Sequence, residues 1–488
     1  MNQQLSKTGI LENQFSPKLK IQFPDKQLFD LPEKVLQFGT GVLLRGLCDY
    51  FIDKANKQGV FNGRIVVVKS TDRGDAEAFN EQDGLYTHCI KGLKNGDLIE
   101  EYHLNASISR TLSAKNQWQE VLECAKNPEM QVIISNTTEV GIQLIDEDYI
   151  LNSVESPASF PMKLLAFLHE RWTVFNGDKS KGMVIVPTEL IVGNGDKLRG
   201  IVVEQAQRNK LEPAFIEWLE KHNSFCNSLV DRIVPGKPDE ESYKEVSTKL
   251  GYEDKLLIES EVYSLWAIQG GEHERAVLSF AKVDEGVIID KDIEIYRELK
   301  LRLLNGTHTL VCGMAYQLGF KLMKDLMANN YMGRIVTNLM LGELALAIPH
   351  KIDSKITDRF GRMVLDRFRN PYLKHKLIDI TVQYTAKMKM RNIPILVRYY
   401  EEFGKAPELF AMGFAAYLQF MHPEKEVNGF YYGESNGEFY PINCTFAPYF
   451  YEAWMGTFDL HKVLSNSSLW GVDLTALPGF EDAVAKYL

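Results

Sequence analysis

The chain has 488 residues, 45% of them hydrophobic and 25% charged, so it is long enough for two folded domains and is neither disordered nor fibrous. Its formal net charge of -10 argues against nucleic acid or an anionic membrane as a partner, because either would select a basic face. The N-terminal residues form no apolar leader and no stretch is apolar enough to cross a bilayer, which predicts a cytoplasmic protein.

The first unit along the chain reads as a strand, a glycine turn and a helix. Residues 35–38 predict a buried strand, the turn Gly39-Thr40-Gly41 follows at once, and apolar residues then recur at helical spacing. Glycines at such a turn let the backbone approach a pyrophosphate, whose charge sits at the helix N-terminus. Leu44 stands where the third glycine of G-x-G-x-x-G belongs, so a purely structural turn fits this stretch equally well.

A second strand, over residues 65–68, completes a βαβ unit and ends in a polar stretch that contains Asp72. A carboxylate at the end of the second strand can accept hydrogen bonds from the adenosine ribose, which favours NAD. The neighbouring cations Lys69 and Arg73 leave NADP open as the alternative, because they could pair with its 2′-phosphate.

Further strands are predicted over residues 132–136 and 183–186, and Asn95-Gly96 predicts a hairpin between them and the βαβ unit. Polar residues and glycines follow both strands, at the edge where an open α/β sheet binds its ligand, although any one of them fits a helix cap better. After a charged neck at residues 284–292 the pattern is almost entirely helical. Helices are predicted over residues 293–329, 334–347, 353–368, 372–387, 395–402 and 407–421.

The sequence therefore predicts an α/β fold, with an N-terminal Rossmann-like doubly wound sheet and a hairpin excursion over residues 1–284. A mainly α-helical C-terminal domain follows over residues 285–488. The six cysteines include no C-x-x-C pair and the ten histidines no H-E-x-x-H, so the sequence predicts reduced thiols and no metal.

The helical part begins with the stretch KLRLLNGTH, from Lys300 to His308. On an α-helix Lys300, Asn305 and His308 fall within an arc of about 140°, so three polar groups face the same way. Gly306 is unfavourable inside a helix, which indicates that another group approaches the backbone beside Asn305. A lysine on such a face is a candidate acid/base. The alternative is that Lys300 and His308 lie on a solvent-exposed helix face, with Asn305 as a buried amide whose hydrogen bonds are all made within the protein.

These three residues resemble the K-x4-N-x2-H motif of the long-chain polyol dehydrogenases, the mannitol dehydrogenase family. Similar segments extend over most of the chain, including Thr138-Glu139-Val140-Gly141 and residues 230–235. The resemblance implies that Lys300 is the catalytic acid/base, while Asn305 and His308 hold the reacting oxygen and a neighbouring hydroxyl. The cofactor-binding residues that it implies, with NAD as the cofactor, are Phe38, Gly39, Thr40, Gly41, Asp72, Thr138 and Glu139.

At two places the sequence departs from the polyol enzymes and resembles instead the branch of that family that reduces tagaturonate. The first turn continues as Leu43-Leu44-Arg45-Gly46 instead of F-H-R-A-H, and Glu189-Leu190 replaces an Asp-Asn pair, which leaves Asn194 as a candidate for the second oxygen-binding amide. The branch implies metal-independent, NADH-linked interconversion of D-tagaturonate and D-altronate in hexuronate breakdown. Within the family, fructuronate reduction or polyol oxidation remains the alternative. Outside the family, the alternatives are a non-catalytic nucleotide-binding protein and a Rossmann-type transferase.

A sugar acid adds one requirement that a polyol does not have, namely a cation for its carboxylate. Arg367 lies in a segment that resembles the family's R-F-x-N-P stretch, and Lys387 and Arg391 lie where relatives carry basic residues on the substrate side. The expected partner is therefore a small sugar acid, with no nucleic acid or membrane involved, and the protein is expected to be a monomer or a small homo-oligomer.

Overall fold

The structure is a computed structural model and describes residues 3–69, 76–137, 140–147 and 153–488. The chain divides into two compact units. The first, called the sheet unit, comprises Met1–Lys91 and Ile99–Ile293, and the second, called the helical unit, comprises Gly92–Leu98 and Glu294–Leu488.

The sheet unit is built on six parallel strands. They are Glu33–Phe38 (β1), Arg64–Lys69 (β2), Ile108–Ser113 (β3), Val132–Ser135 (β4), Val184–Pro187 (β5) and Ser224–Phe225 (β6). Their order across the sheet is β3-β2-β1-β4-β5-β6, so the chain starts in the middle and winds outward in both directions. This is the strand order of a doubly wound dinucleotide-binding sheet, and the predicted Rossmann-like fold is confirmed.

Both faces of this sheet are buried. Leu36 and Val66 pack into one apolar cluster, while their chain neighbours Val35 and Ile65 pack into another. Alternate residues of a strand point to opposite faces, so a strand covered on both sides is apolar at most positions. This explains the apolar runs at residues 65–68 and 132–134, whereas the edge strand Ile108–Ser113 reads ISRTLS.

The predicted hairpin is formed by Tyr86–Lys94 and Asp97–Asn105. Asn95 and Gly96 at its turn have φ of 55° and 85°, the positive values that a two-residue turn between twisted strands requires. Ile258–Glu261 pairs in parallel with the first hairpin strand, so the hairpin belongs to a separate three-stranded sheet.

The rest of the sheet unit consists of short strands and of helices that cover the sheets. The strands are Ser228–Asp231, Leu265–Gln269 and Val287–Asp290 in one sheet, and Gln3–Gln4 with Tyr252–Glu253 in another. The helices are Lys7–Leu11, Lys26–Phe29, Val42–Gly46, Cys48–Lys57, Ala76–Glu81, Trp118–Glu123, Phe160–Val174, Asn194–Arg208, Pro213–Lys221, Glu240–Leu250 and Glu272–Val277.

The helical unit is mainly helical, as predicted, but several helix ends differ from the prediction. The helix expected over residues 293–329 ends near Gly319, whose φ of 90° is incompatible with a continuing helix. The helix expected over residues 372–387 is interrupted at Gln383, which has φ of 53°. The helices are Glu294–Leu299, Lys300–Gly306, Thr307–Gln317, Met323–Ala328, Asn330–Asn338, Leu339–Glu343, Ser354–Arg369, Leu377–Ile380, Tyr384–Arg391, Ile393–Phe403, Glu408–Phe420, Ala447–Trp454, Leu460–Leu464, Ser467–Trp470 and Phe480–Ala485.

A small antiparallel sheet near the C-terminus was not predicted. It consists of Lys425–Val427, Phe430–Ser435 and Glu438–Pro441. All six cysteines are free and buried. In the part of the chain that the structure describes, no helix is long and apolar enough to span a membrane, and no three His, Cys, Asp or Glu side chains come together as a metal site would need.

Candidate active site

The segment that carries the K-x4-N-x2-H motif is one continuous helix over residues 294–317 with a wider turn in its middle. That turn is a π-helix over Lys300–Gly306, in which backbone hydrogen bonds span five residues instead of four. The chain stays helical through its end, with φ of -65° and ψ of -46° at Gly306. Turns of this kind are rare and occur frequently at functional sites.

The π turn changes which side chains share a face. In an α-helix Asn305 would lie about 140° around the axis from Lys300. In a π-helix each residue is bonded to the one five positions further on, so Lys300 and Asn305 lie one turn apart on the same side. Both residues are half-buried. The lysine and the asparagine are therefore closer around the axis than α-helical spacing implies.

Gly306 is where another group approaches the helix backbone, as the sequence predicts. A Cβ atom there would lie 3.2 Å from Nδ2 of Asn392. That nitrogen donates a hydrogen bond to the carbonyl oxygen of Gly306 at 3.0 Å. Asn392 is fully buried, and no motif in the sequence marks it.

His308 is buried and uncharged. Burial lowers the pKa of its imidazole well below the usual range, and four nearby basic side chains lower it further. Its ring stacks on that of Phe368, with the centroids 4.2 Å apart. Within the described ranges, Nε2 of His308 has no hydrogen-bond partner. A neutral imidazole placed in this way can share a hydrogen bond with a hydroxyl of a bound sugar.

The four basic side chains around His308 are called the cation cluster below. They are Arg367, His375, Lys387 and Arg391. Three of them were predicted as substrate-binding residues, whereas His375 carried no signal in the sequence. Arg367 is buried in the last turn of Ser354–Arg369, and Lys387 and Arg391 lie one turn apart on Tyr384–Arg391.

Within the described ranges, neither Lys387 nor Arg391 forms an ion pair with a carboxylate. Nζ of Lys387 donates to the carbonyl oxygen of Ile380 at 2.8 Å, and Nη1 of Arg391 donates to Oγ1 of Thr309 at 3.1 Å. Burial and then the charge of Arg391 lower the pKa of Lys387, and burial lowers the pKa of Arg391. Two cations that repel each other in partly desolvated surroundings would be stabilised by a nearby anion.

Arg302 ties the motif helix to the helix that carries Lys387 and Arg391. Its Nε donates to the carboxylate of Glu298 at 2.9 Å, and its Nη1 donates to the carbonyl oxygens of Met390 and Arg391 at 2.6 and 2.9 Å. Those carbonyls lie in the last turn of their helix, where a cation is favourable. The four-residue spacing of Glu298 and Arg302 was a readable signal for their pairing.

In the sheet unit the predicted cofactor turn follows β1 directly. It consists of Phe38, at the strand end, and Gly39, Thr40 and Gly41. Gly39 has φ of 131°, and a Cβ there would lie 3.0 Å from the carbonyl oxygen of Asn136, so the turn requires a glycine. A Cβ at Gly41 would lie more than 4 Å from every other described residue that could crowd it. The open space beside Gly41, at the start of Val42–Gly46, fits the predicted pyrophosphate.

Three predicted cofactor residues lie outside the described residues. They are Asp72, Thr138 and Glu139. Among the described residues, Glu189 links the ends of β4 and β5: its carboxylate accepts hydrogen bonds from the Thr137 amide and hydroxyl at 2.9 Å and from Oγ of Ser135 at 3.1 Å. Glu189 therefore fixes the strand ends and does not cap a helix.

Asn194, the candidate for the second oxygen-binding amide, is fully engaged in structural hydrogen bonds. Its Nδ2 donates to the carbonyl oxygens of Pro187 and Glu189 at 3.0 Å and of Ser228 at 3.2 Å. Its Oδ1 accepts from the amides of Gly195 and Ser228 at 2.9 Å. This candidate was wrong, because the buried side chain has no hydrogen left to offer a substrate.

Two family models match most of the chain. The mannitol dehydrogenase Rossmann domain matches residues 33–280, and the mannitol dehydrogenase C-terminal domain matches residues 292–488. The chain belongs to the mannitol dehydrogenase family. The resemblance that the K-x4-N-x2-H motif indicated is thereby confirmed.

Members of the mannitol dehydrogenase family among the curated relatives carry one recurring name. The altronate oxidoreductase of Bacillus subtilis is 37% identical over 462 residues, which cover 94% of this chain and 92% of the relative. The altronate oxidoreductase of Escherichia coli O7:K1 is 36% identical over 478 residues, covering 96% and 95%. That of Yersinia enterocolitica is 34% identical and covers 94% of both chains.

Solved structures agree with the mannitol dehydrogenase fold. A substrate-free D-sorbitol dehydrogenase matches with a TM-score of 0.77 at 19% identity, covering 99% of this chain and 96% of that one. A Pseudomonas fluorescens mannitol 2-dehydrogenase, in a ternary complex with NAD and D-mannitol, matches with a TM-score of 0.63 at 20% identity and the same coverage. At such identity the likeness shows the fold alone.

Proposed function

We propose that this member of the mannitol dehydrogenase family is an altronate oxidoreductase, which interconverts D-tagaturonate and D-altronate with a nicotinamide cofactor. Relatives of that name align with 94 to 96% of the chain. The observation that carries the proposal is the cation cluster around His308. A hexuronate differs from a neutral ketose by one terminal carboxylate, and that group needs a cation where a hydroxyl needs only a hydrogen-bond partner.

The cofactor is assigned to residues 1–284 and the sugar acid to residues 285–488. The strand order of the main sheet and the open space at Gly41 fit a dinucleotide. A bound nicotinamide supplies the hydride in reduction and accepts it in oxidation. NAD is preferred over NADP in this proposal, because Asp72, which follows the second strand in the sequence, would accept the ribose hydroxyls and repel a 2′-phosphate.

Lys300 is the acid/base of the proposed reaction. In reduction its ammonium gives a proton to the oxygen of the ketone as the carbonyl carbon gains hydride, and in oxidation the neutral amine removes that proton. Asn305, one π turn away on the same side, donates a hydrogen bond to the developing negative oxygen. His308, buried and neutral, binds a neighbouring hydroxyl through Nε2.

The carboxylate is assigned to Arg391, Lys387 and Arg367 of the cation cluster. Arg391 has donors to spare, because within the described ranges its Nε is buried without a partner and only Nη1 is engaged. A guanidinium can hold a carboxylate through two parallel charge-assisted hydrogen bonds, and a bound anion would relieve the repulsion between Lys387 and Arg391. A polyol would leave that repulsion in place.

The proposal is tested by following NADH absorbance with the purified protein and tagaturonate, fructuronate or fructose in turn. We expect kcat/KM to be highest for tagaturonate and lowest for fructose, because only the two uronates carry the carboxylate. A higher kcat/KM with fructuronate would favour fructuronate reduction, the second candidate, which the cation cluster fits as well. Equal rates with fructose and the uronates would contradict the assignment of the cluster.

A further inference from the structure

The π turn at Lys300–Gly306 is held by a contact outside the catalytic motif. A π-helix is wider and packs less well than an α-helix, so an isolated turn of this kind persists only where neighbouring groups favour it. The approach of Nδ2 of Asn392 to the carbonyl of Gly306, the last residue of the turn, is such a contact. It depends on the missing side chain of Gly306, because a Cβ there would lie 3.2 Å from the same nitrogen.

Asn392 is itself fixed on both sides. It stands between Tyr384–Arg391 and Ile393–Phe403, where its amide donates to the carbonyl of Met388 and its own carbonyl accepts from the amide of Leu396, each at 3.0 Å. Its side chain is fully buried, and within the described ranges Oδ1 has no hydrogen-bond partner. Burying an oxygen without a hydrogen-bond partner is unfavourable, and an apolar residue would avoid that cost. The presence of an amide at position 392 is therefore explained by what its Nδ2 does.

We propose that Asn392 is a positioning residue that holds the π turn and thereby the register of Lys300 and Asn305. The inference rests on the proposed function for the roles of those two residues. The rigid amide of Asn392 donates to the Gly306 carbonyl from a point fixed by two flanking helices. Without that donor the segment relaxes toward the α-helix, in which Asn305 and Lys300 are separated by about 140° around the axis and no longer lie one turn apart on the same side.

The test uses two variants. Asn392→Leu removes the hydrogen-bond donor and keeps a side chain of similar size, whereas Gly306→Ala adds a Cβ that crowds Nδ2 of Asn392. Alanine also favours a helix, so Gly306→Ala is not expected to unfold the protein. Thr385→Val is the matched control, because it removes a buried hydrogen bond to Tyr417 from the helix Tyr384–Arg391.

We expect kcat for tagaturonate to fall about 10- to 100-fold in Asn392→Leu and Gly306→Ala, with KM for NADH within about twofold of the unchanged protein. Native-state hydrogen exchange, followed by mass spectrometry, should change over residues 300–309 in both variants, because the backbone hydrogen bonds of the segment change partners. Neither change should occur in Thr385→Val.

The proposal is overturned if Asn392→Leu exchanges like the unchanged protein over residues 300–309, or if it loses no more kcat than Thr385→Val. Hydrogen exchange needs no substrate. If the unchanged protein reduces neither uronate, the proposed function fails, and exchange over the same segment still decides whether Asn392 holds the turn.

Discussion

Lys300 carries the proton in the proposed reaction, so a single substitution tests its role. Lys300→Ala should lower kcat by about 10²- to 10⁴-fold, because proton transfer by a positioned side chain contributes that much. The dissociation constant of NADH, measured by fluorescence titration, should hardly change. Lys300→Arg is the control for charge: a guanidinium keeps the cation but does not deprotonate, so it should also lack activity. Retention of most of kcat in Lys300→Ala would rule out the assignment.

The cation cluster makes a prediction about affinity for the substrate. Alanine at Arg391, Lys387 or Arg367 removes a charge-assisted hydrogen bond, typically about 1.5 to 3 kcal/mol, so KM for tagaturonate should rise roughly ten- to a hundredfold while KM for NADH stays the same. Lys389→Ala is the matched control, because Nζ of Lys389 on the same helix donates to the carbonyl of Ser468 instead. If all three variants raise KM by less than a few-fold, the carboxylate binds elsewhere.

Asp72 tests the choice of cofactor. Asp72→Ala should lower the ratio of kcat/KM for NADH to kcat/KM for NADPH, because the carboxylate no longer accepts ribose hydroxyls or repels a 2′-phosphate. Steady-state kinetics with both cofactors gives the ratio. An unchanged ratio would mean that another group distinguishes the two cofactors at the ribose. Lys69 and Arg73 would be the first residues to test.

The helix Cys48–Lys57 contains two buried acids, Asp49 and Asp53, whose pKa values shift in opposite directions. Burial raises the pKa of Asp49 from 3.8 to about 7, although a weak hydrogen bond from Gln37 at 3.4 Å and the charge of Arg45 oppose it. Burial alone would also raise the pKa of Asp53, but the charges of Lys57 and His103 outweigh burial and lower it. Asp49 therefore opposes folding when ionised, whereas Asp53 supports it.

This contrast gives a pH dependence of stability. Because the pKa of Asp49 is higher in the folded state, its favourable contribution is complete below about pH 4 and is lost as pH rises through about 7. Asp49→Asn should therefore raise the free energy of unfolding, and with it the unfolding temperature, more at about pH 8 than at about pH 5, and the difference should be at most about 3 kcal/mol. Asp53→Asn in the same helix should lower it at both. Calorimetry that finds the same effect of Asp49→Asn at both pH values would contradict this account.

Elements with strong local signals were predicted from the sequence, and those set by distant contacts were not. The four central strands of the main sheet are largely apolar because they are covered on both faces, so length and composition identify them. The two edge strands, Ile108–Ser113 and Ser224–Phe225, are more polar or very short and were not predicted. The C-terminal sheet was missed although its turns carry Asn428-Gly429 and Asn436-Gly437, with positive φ at all four residues. The many aromatic residues around those turns suggested packing and masked the hairpin signal.

For the candidate site, the sequence predicted residues but not their arrangement. Residue spacing assumes an α-helix, and nothing local to Lys300–Gly306 indicates a π turn. That turn depends on Asn392, more than eighty residues further along the chain, whose contact no single-sequence pattern records. Asn194 failed for the converse reason, since a polar residue at a strand end can serve the backbone as readily as a ligand.

The net charge of -10 opposes the approach of an anionic substrate, while the cation cluster attracts it locally. Salt screens both effects, but the cluster lies closest to the bound carboxylate. KM for tagaturonate should therefore rise with added sodium chloride, whereas KM for fructose should stay nearly constant. If KM falls with salt, repulsion by the whole molecule outweighs the cluster.

The six buried cysteines allow the rate at which the folded chain opens to be measured. Burial raises the pKa of Cys124 to about 11 and of Cys226 and Cys312 to about 12, so these thiols are protonated as well as hidden from reagents. A thiol-specific dye should therefore react only with molecules that have opened, and its rate measures how often they do so. Four of the cysteines belong to the sheet unit and two, Cys312 and Cys444, to the helical unit. The natural sequence thus reports the opening of each unit without an engineered label.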